Sequence, residues 1–120
     1  MQYLLLIHEP RGQRAQRTRA EGEAAYERML QFGAGLQERG LLVNSQSLAG
    51  DEAGVRVQVR AGERRLVDGP FSEAKEMVGG FFLVDCASQD EALAIAAECP
   101  AAGWATVSYT HLTLPTKRIV

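Results

Sequence analysis

A chain of 120 residues with 46% apolar and 23% charged content is composed like one globular domain with room for one core. No apolar run approaches the ~20 residues of a membrane-spanning helix, so no membrane is expected, and a net charge of −2 argues against a nucleic-acid partner. The apolar N-terminal stretch lacks a preceding basic segment, which excludes a signal peptide and leaves the cytoplasm as the expected compartment.

Tyr3 to Ile7 reads as a first, buried strand, and His8-Glu9-Pro10 as its polar stop. Arg11, Arg14, Arg17 and Arg19 then mark a basic loop. It is either a solvated loop or a lid that closes over an anion. A helix is expected from about Glu21 to Arg39, with Ala25, Met29, Phe32 and Leu36 as its apolar stripe and Gly40 as its stop. Gly33 and Gly35 weaken its interior and leave room for another backbone. Leu41 to Leu48 is a second strand, and the residues from Gly50 to Gly54 a loop.

Val55, Val57 and Val59 alternate with Arg56, Gln58 and Arg60, the pattern of a half-exposed strand. Ala61-Gly62-Glu63 turns the chain, and Arg64 to Val67 pairs back as a hairpin. A short helical turn is expected from Ser72 to Glu76. Gly80 to Asp85 is a strand apolar on both faces, with Phe81 and Leu83 on one and Phe82 and Val84 on the other. Ser88 and Glu91 form a capping box for a second helix whose Leu93, Ala96 and Ala97 face inward and which Pro100 closes. Trp104 to Val107 begins the last strand.

The order is β-α-β, hairpin, β-α-β. That is an α+β, ferredoxin-like βαββαβ sandwich with an added β-hairpin, its sheet antiparallel and its helices on one face. The doubly apolar strand at Phe81 to Val84 requires cover on the other face as well. A single domain has no second layer, so a homodimer follows, with two sheets packed about a two-fold axis.

Residues 108–120 differ in style from the rest. They hold no acid, and no helix or strand signal continues past Pro115. They resemble translated sequencing-adapter read-through, so the domain is drawn as residues 1–107 and the remainder as a non-native tail, the plainer alternative being a real, extended C-terminal arm. Without Lys117 and Arg118 the charge falls from −2 to −4.

Chemistry is sought first at His8, which shares a strand face with Leu4 and Leu6 and titrates near neutrality. A solvated rim histidine beside Glu9 is the plainer reading. Asp68 either holds the turn before Pro70 or takes part in catalysis. Phe71 plugs the core or the dimer seam and lies next to any ligand there. Lys75 either grips an anionic group of a small molecule or forms a surface pair with Glu76. Cys86 and Cys99 lack metal-ligand spacing and read as free thiols. No glycine-rich phosphate loop, metal set or nucleophile elbow occurs, so neither a metal nor a cofactor is assigned.

Asp68-Gly69-Pro70-Phe71, with Glu73, Lys75 and Glu76 after it, resembles the signature of the YCII-related, or DGPF-domain, family. The resemblance covers residues 1–107 and implies a dimeric α+β barrel. Some members carry a histidine on the first helix and an aspartate near its end, proposed as an acid–base pair. Those positions fall on Tyr26 and Glu38 here. Tyrosine, with an unperturbed pKa of ~10, is no base near neutrality, so Tyr26 is expected either to donate a hydrogen bond to a ligand or simply to pack with its hydroxyl exposed. The family occurs beside, or fused to, sigma-factor-like regulators. Two functions therefore stand. One is a small-molecule-binding homodimer with acid–base enzymatic activity. The other is a non-catalytic binding or regulatory interaction module linked to a sigma-factor-type regulator.

Overall fold

The computed structural model describes residues 1–69 and 74–113. Six strands and three helices follow in the order β1 (Gln2–Pro10), α1 (Gln13–Gln16), α2 (Arg19–Glu38), β2 (Leu42–Ser47), β3 (Val55–Arg60), β4 (Glu63–Asp68), β5 (Glu76–Asp85), α3 (Gln89–Glu98) and β6 (Thr106–His111). The main sheet is antiparallel in the order β2-β5-β1-β6, with β3 and β4 forming a separate two-stranded sheet. Apart from the inserted hairpin, this is the ferredoxin-like arrangement, α+β as the patterning requires.

The core lies on one face of the sheet. Tyr3, Leu5 and Ile7 of β1 and Phe82 and Val84 of β5 meet Leu36 of α2 and Ile95 of α3. Strand alternation sends the other residues to the opposite face, where Leu4 stands across from Leu83 and Leu6 across from Phe81, all half-buried. Among the described residues no layer covers this second face.

Several elements depart from the sequence reading. β1 runs on through His8 and Glu9 to Pro10. Arg11 N–H donates to the Lys75 carbonyl on the β5 side, so the missing N–H of Pro10 falls on the side where β6 has already ended. The basic loop contains the short α1, and α2 begins two residues early, at Arg19. There Thr18 Oγ1 accepts from Glu21 N–H while the Glu21 carboxylate accepts from Thr18 N–H, a complete capping box. Gly40 (φ 71°) ends α2 as expected: its N–H bonds Gln37 O and Leu41 N–H bonds Leu36 O, a Schellman stop.

Of the turn expected at Ser72 to Glu76, Ser72 and Glu73 lie outside the described residues, and Glu76 opens β5 instead. Phe71 and Pro70 also lie outside them. On α3 the buried set is Ala92, Ile95, Ala96 and Cys99, whereas Leu93 and Ala97 are exposed. The inward face thus follows the i, i+3, i+4, i+7 spacing from Ala92. Ser88 caps α3 by accepting from Glu91 N–H, but the Glu91 carboxylate reaches one residue further back, to Ala87 N–H. Trp104 follows a 3₁₀ turn (Pro100–Gly103), and β6 starts at Thr106, pairing with β1 through His111.

Candidate functional site

A cleft of about 960 Å³ opens between α2 and the β2-β5-β1 part of the sheet. Its floor is apolar, from Ile7, Met29, Leu42 and Phe82. Phe32 stands edge-on to Phe82 with ring centroids 5.2 Å apart and fixes that ring. Tyr26 and Leu30 of α2 line one wall, and Trp104 closes an end.

The mouth of the cleft is basic, and local folding explains why. Glu9, on the same face of β1 as Ile7, is gripped by Arg14 of α1 through two bonds of 2.8 and 2.9 Å. Arg14 also donates to the Leu48 carbonyl at 2.8 Å, tying α1 to the end of β2. The Glu9 carboxylate lies over Gly79, where a Cβ would occupy its place. Gly79 is also the residue that β5 inserts between the pairs Ile7–Gly80 and His8–Val78, a bulge beside the cleft.

Arg17 and Arg28 both place their guanidinium groups over Trp104, at 5.5 and 5.1 Å from the ring centroid. Gln13 donates to the Trp104 carbonyl at 2.6 Å and its side-chain oxygen accepts from Arg17. Behind the mouth, Arg11 clamps Asp51 with two bonds of 2.7 Å and donates from Nε to the Ala74 carbonyl. This pair raises the Arg11 pKa and holds the Asp51 carboxyl below the usual aspartate range, chiefly through the hydrogen bonds themselves. Arg11 and Arg14 are thus held by carboxylates and Arg17 by Gln13 and Trp104, whereas Arg19 is 92% exposed in a surface pair with Glu23; among the described residues no carboxylate bonds Arg17, which faces the cleft.

Of the candidate catalytic and ligand-binding residues that are described, only Tyr26 lines this cleft, as an exposed side chain. His8 is on the opposite face of the sheet, where Nε2 lies 2.8 Å from Ser108 Oγ. Asp68 is exposed at the end of β4, paired across the hairpin with Val55. Lys75 is exposed just before β5, and its carbonyl accepts from Arg11 N–H. Glu38 is exposed at the end of α2. The expected grouping of His8, Tyr26, Asp68 and Lys75 around one pocket is not what the fold assembles. Arg14, Arg17 and Arg19 of the basic loop border the cleft as well, whereas the places of Glu9 and Trp104 are set by tertiary partners that no sequence signal announces.

The cleft suits a molecule with an apolar body and an anionic group. The described residues that line it include no histidine or cysteine. Among the described residues no three His, Cys, Asp or Glu side chains converge as a metal site. Cys86 and Cys99 are free and buried, and burial pushes both thiols upward in pKa. No helix among the described residues is long and apolar enough to cross a membrane.

An uncharacterized protein of Rhizobium meliloti (strain 1021) is 43% identical over 72 residues, which are 60% of this chain and 58% of that protein. The chain thus matches little more than half the length of that relative. The model of the YCII-related domain matches residues 1–112. With nearly the whole chain covered, the protein belongs to the YCII-related domain family.

Proposed function

We propose that this protein is a homodimer that binds a small molecule, an anion with an apolar body, in the cleft between α2 and the sheet. The observation that carries the reading is the cleft itself, with an apolar floor of Ile7, Met29 and Phe82 and the guanidinium of Arg17 at its mouth. An anionic group would meet Arg17, and the phenol of Tyr26 would donate to it or to a neighbouring oxygen. The dimer is supported by the second sheet face. Leu4, Leu6, Phe81 and Leu83 form an apolar centre there that a second sheet would cover, closing a dimeric α+β barrel.

The unit meant is residues 1–107. Ser108 to His111 complete the edge of the sheet by main-chain pairing with β1. Their side chains make contacts too, Ser108 Oγ with His8 Nε2 at 2.8 Å and the rings of Tyr109 and His111 with Tyr3, so ending the chain at Val107 would remove these along with an edge strand.

The chain holds a single tryptophan, Trp104, and it lines the cleft. Its emission therefore reports occupancy directly. Titrating the full-length protein with a series of aliphatic and aromatic carboxylates should move that emission saturably, and Arg17→Glu should abolish the change. Native mass spectrometry of gently purified protein, full-length and ending at Val107, should show a dimer with a reproducible added mass. An unresponsive Trp104 across the series, together with an empty protein, overturns the binding reading.

A second reading, acid–base catalysis, attaches to His8, whose ring shares the open sheet face with Leu4 and Leu6 and would lie between the two sheets of the barrel. His8→Ala should leave Trp104 titrations unchanged and abolish turnover of whatever bound molecule is identified. Unchanged turnover removes His8 from the mechanism and favours a sensor or regulatory module.

A further inference from the structure

β2 is an edge of the main sheet and pairs with β5 alone. From Asn44 to Ser47 that pairing is regular, and just beyond it Leu48 N–H donates to the Gly79 carbonyl at 2.9 Å. Antiparallel alternation then turns the main-chain groups of Gln46 and Asn44 toward β5 as well, and those of Ser45 and Ser47 outward, to the free edge. Among the described residues no backbone group bonds these outward groups. Sheet edges are commonly blunted by charged side chains or proline. β2 has neither, and its one irregularity, the bulge at Val43, lies before this stretch.

The space beside that edge has a roof. Tyr26 and Leu30 of α2 line the cleft together with Ser45 and Ser47, yet are 57% and 51% exposed. Four residues apart, they share one flank of α2, whereas Arg28, two residues from each and lying over Trp104, is on the other flank. Helix flank and strand edge bound a slot in which one wall offers N–H and C=O groups and the other apolar side chains. An extended chain matches both at once, its main chain pairing with the edge and every second side chain turned to the helix. The opposite edge of the sheet is closed more tightly: α3 packs along β6, and Gln89 donates to Tyr109 Oη at 3.4 Å.

The roof also selects among extended chains. A second copy's β2, paired antiparallel about a two-fold, would bring its Ser45 and Ser47 hydroxyls to Tyr26 and Leu30 of its neighbour, a polar strand against an apolar flank. A strand with apolar residues at alternate positions covers that flank instead.

We propose that the slot between β2 and α2 takes an extended peptide segment of a partner protein, added to β2 as a further strand, with alternate apolar side chains set against Tyr26 and Leu30. The proposal goes beyond the small-molecule reading and does not rest on it, since neither Arg17 nor Trp104 takes part.

The test uses the full-length ¹⁵N-labelled protein and an acetylated, amidated octapeptide in which valine and threonine alternate between terminal lysines. The Ser45 and Ser47 amides should exchange rapidly in the free protein and slow by about tenfold or more at saturating peptide, while Gln46, already paired with β5, stays unchanged. Replacing the valines by serine should weaken the peptide by about tenfold or more. Absence of protection at the two serine amides overturns the proposal, and so does equal binding of the serine-substituted peptide. Serine amides that are already slow in the free protein and quicken on dilution show that a second copy's β2 holds the edge, which also overturns it.

Two variants complete the test. Ser45→Pro removes an N–H that the sheet itself does not use, so the circular dichroism spectrum should persist while peptide binding is lost. Leu30→Ser, at a side chain exposed in its own chain, should weaken the peptide by about tenfold. Wild-type binding in Leu30→Ser overturns the proposal. The carboxylate titration at Trp104 is scored apart from these. A response there without protection at Ser45 and Ser47 leaves the small-molecule reading and removes the peptide; protection with an unresponsive Trp104 does the reverse.

Discussion

Glu9 and Arg14 face each other through two parallel hydrogen bonds, and the Glu9 side chain is only 12% exposed while Arg14 stays 37% exposed. The pair exists because residue 79 has no side chain: a methyl group there would take the space of the carboxylate. Gly79→Ala should therefore push Glu9 off Arg14. A charge-assisted pair that is half in water is worth about 1–2 kcal/mol, and urea unfolding should show a loss of that size. Glu9→Gln should cost about the same, and the double variant should cost clearly less than the sum. Additive costs would mean that Gly79 is needed for the bulge alone.

Arg11 and Asp51 give the fold a defined response to acid. The bidentate contact holds the Asp51 carboxyl below its ordinary pKa. A carboxyl depressed in the folded state stabilises fully above its unfolded pKa, ~3.9 for aspartate. That contribution disappears as pH falls through the folded value. Arg11 stays charged throughout, its own pKa raised by the same hydrogen bonds. Thermal unfolding between neutral pH and strong acid should show the wild type above Asp51→Asn at neutral pH, with the two curves converging below the usual aspartate range. Parallel curves would contradict an ionised Asp51 as the partner.

Local rules made much of the fold legible, and failed where distant residues decide. Alternation at Phe81 to Val84 gave the two sheet faces, and the element order gave the ferredoxin-like topology, because both depend on periodicity along one segment. The stripe on α3 was misplaced by one position: Leu93 looks like a core residue, but Ile95 and Cys99 with two alanines define the face that is buried. The pair Gly79-Gly80 is too short for a phosphate loop. Its reasons are tertiary, one glycine making room for Glu9 and the other for the Gln46 carbonyl, 2.9 Å from where a Cβ would stand. The same holds for the site. His8, Asp68 and Lys75 are near a corner in sequence, yet the strand pleat puts His8 on the face away from Tyr26, and the hairpin carries Asp68 off the main sheet. Arg17 and Trp104 are 87 residues apart in a chain numbered 1–120, and no spacing rule joins them.

Thr18-x-x-Glu21 is a capping-box signal that marks the start of α2 in the sequence itself. Each residue satisfies the other's N–H at the start of α2, at 3.1 and 3.0 Å. Loss of an N-cap hydroxyl costs about 1 kcal/mol. Thr18→Ala should lower stability by that amount and speed amide exchange in the first turn of α2, leaving β5 untouched. Since Thr18 and Arg17 both border the cleft, the variant should also weaken carboxylate binding at Trp104. Thr18→Ser, which keeps the oxygen, should restore both.

Gly35 offers a prediction of opposite sign. It lies inside α2, and a Cβ built there meets nothing within 4 Å in its own chain. Glycine in a helix interior is less favourable than alanine by about 0.8–1.0 kcal/mol, because alanine loses less backbone freedom on folding. Gly35→Ala should accordingly raise the unfolding midpoint. Gly33 is the control on the same helix: there a Cβ comes 3.5 Å from the Phe82 ring, an ordinary contact, so Gly33→Ala should gain a similar amount without disturbing the core. The sequence allowed a closer neighbour, since small residues at Gly33 and Gly35 leave room for another backbone. If Gly35→Ala destabilises the protein while Gly33→Ala stabilises it, a surface from outside the chain rests on Gly35, and the loss should grow with protein concentration as the second copy associates.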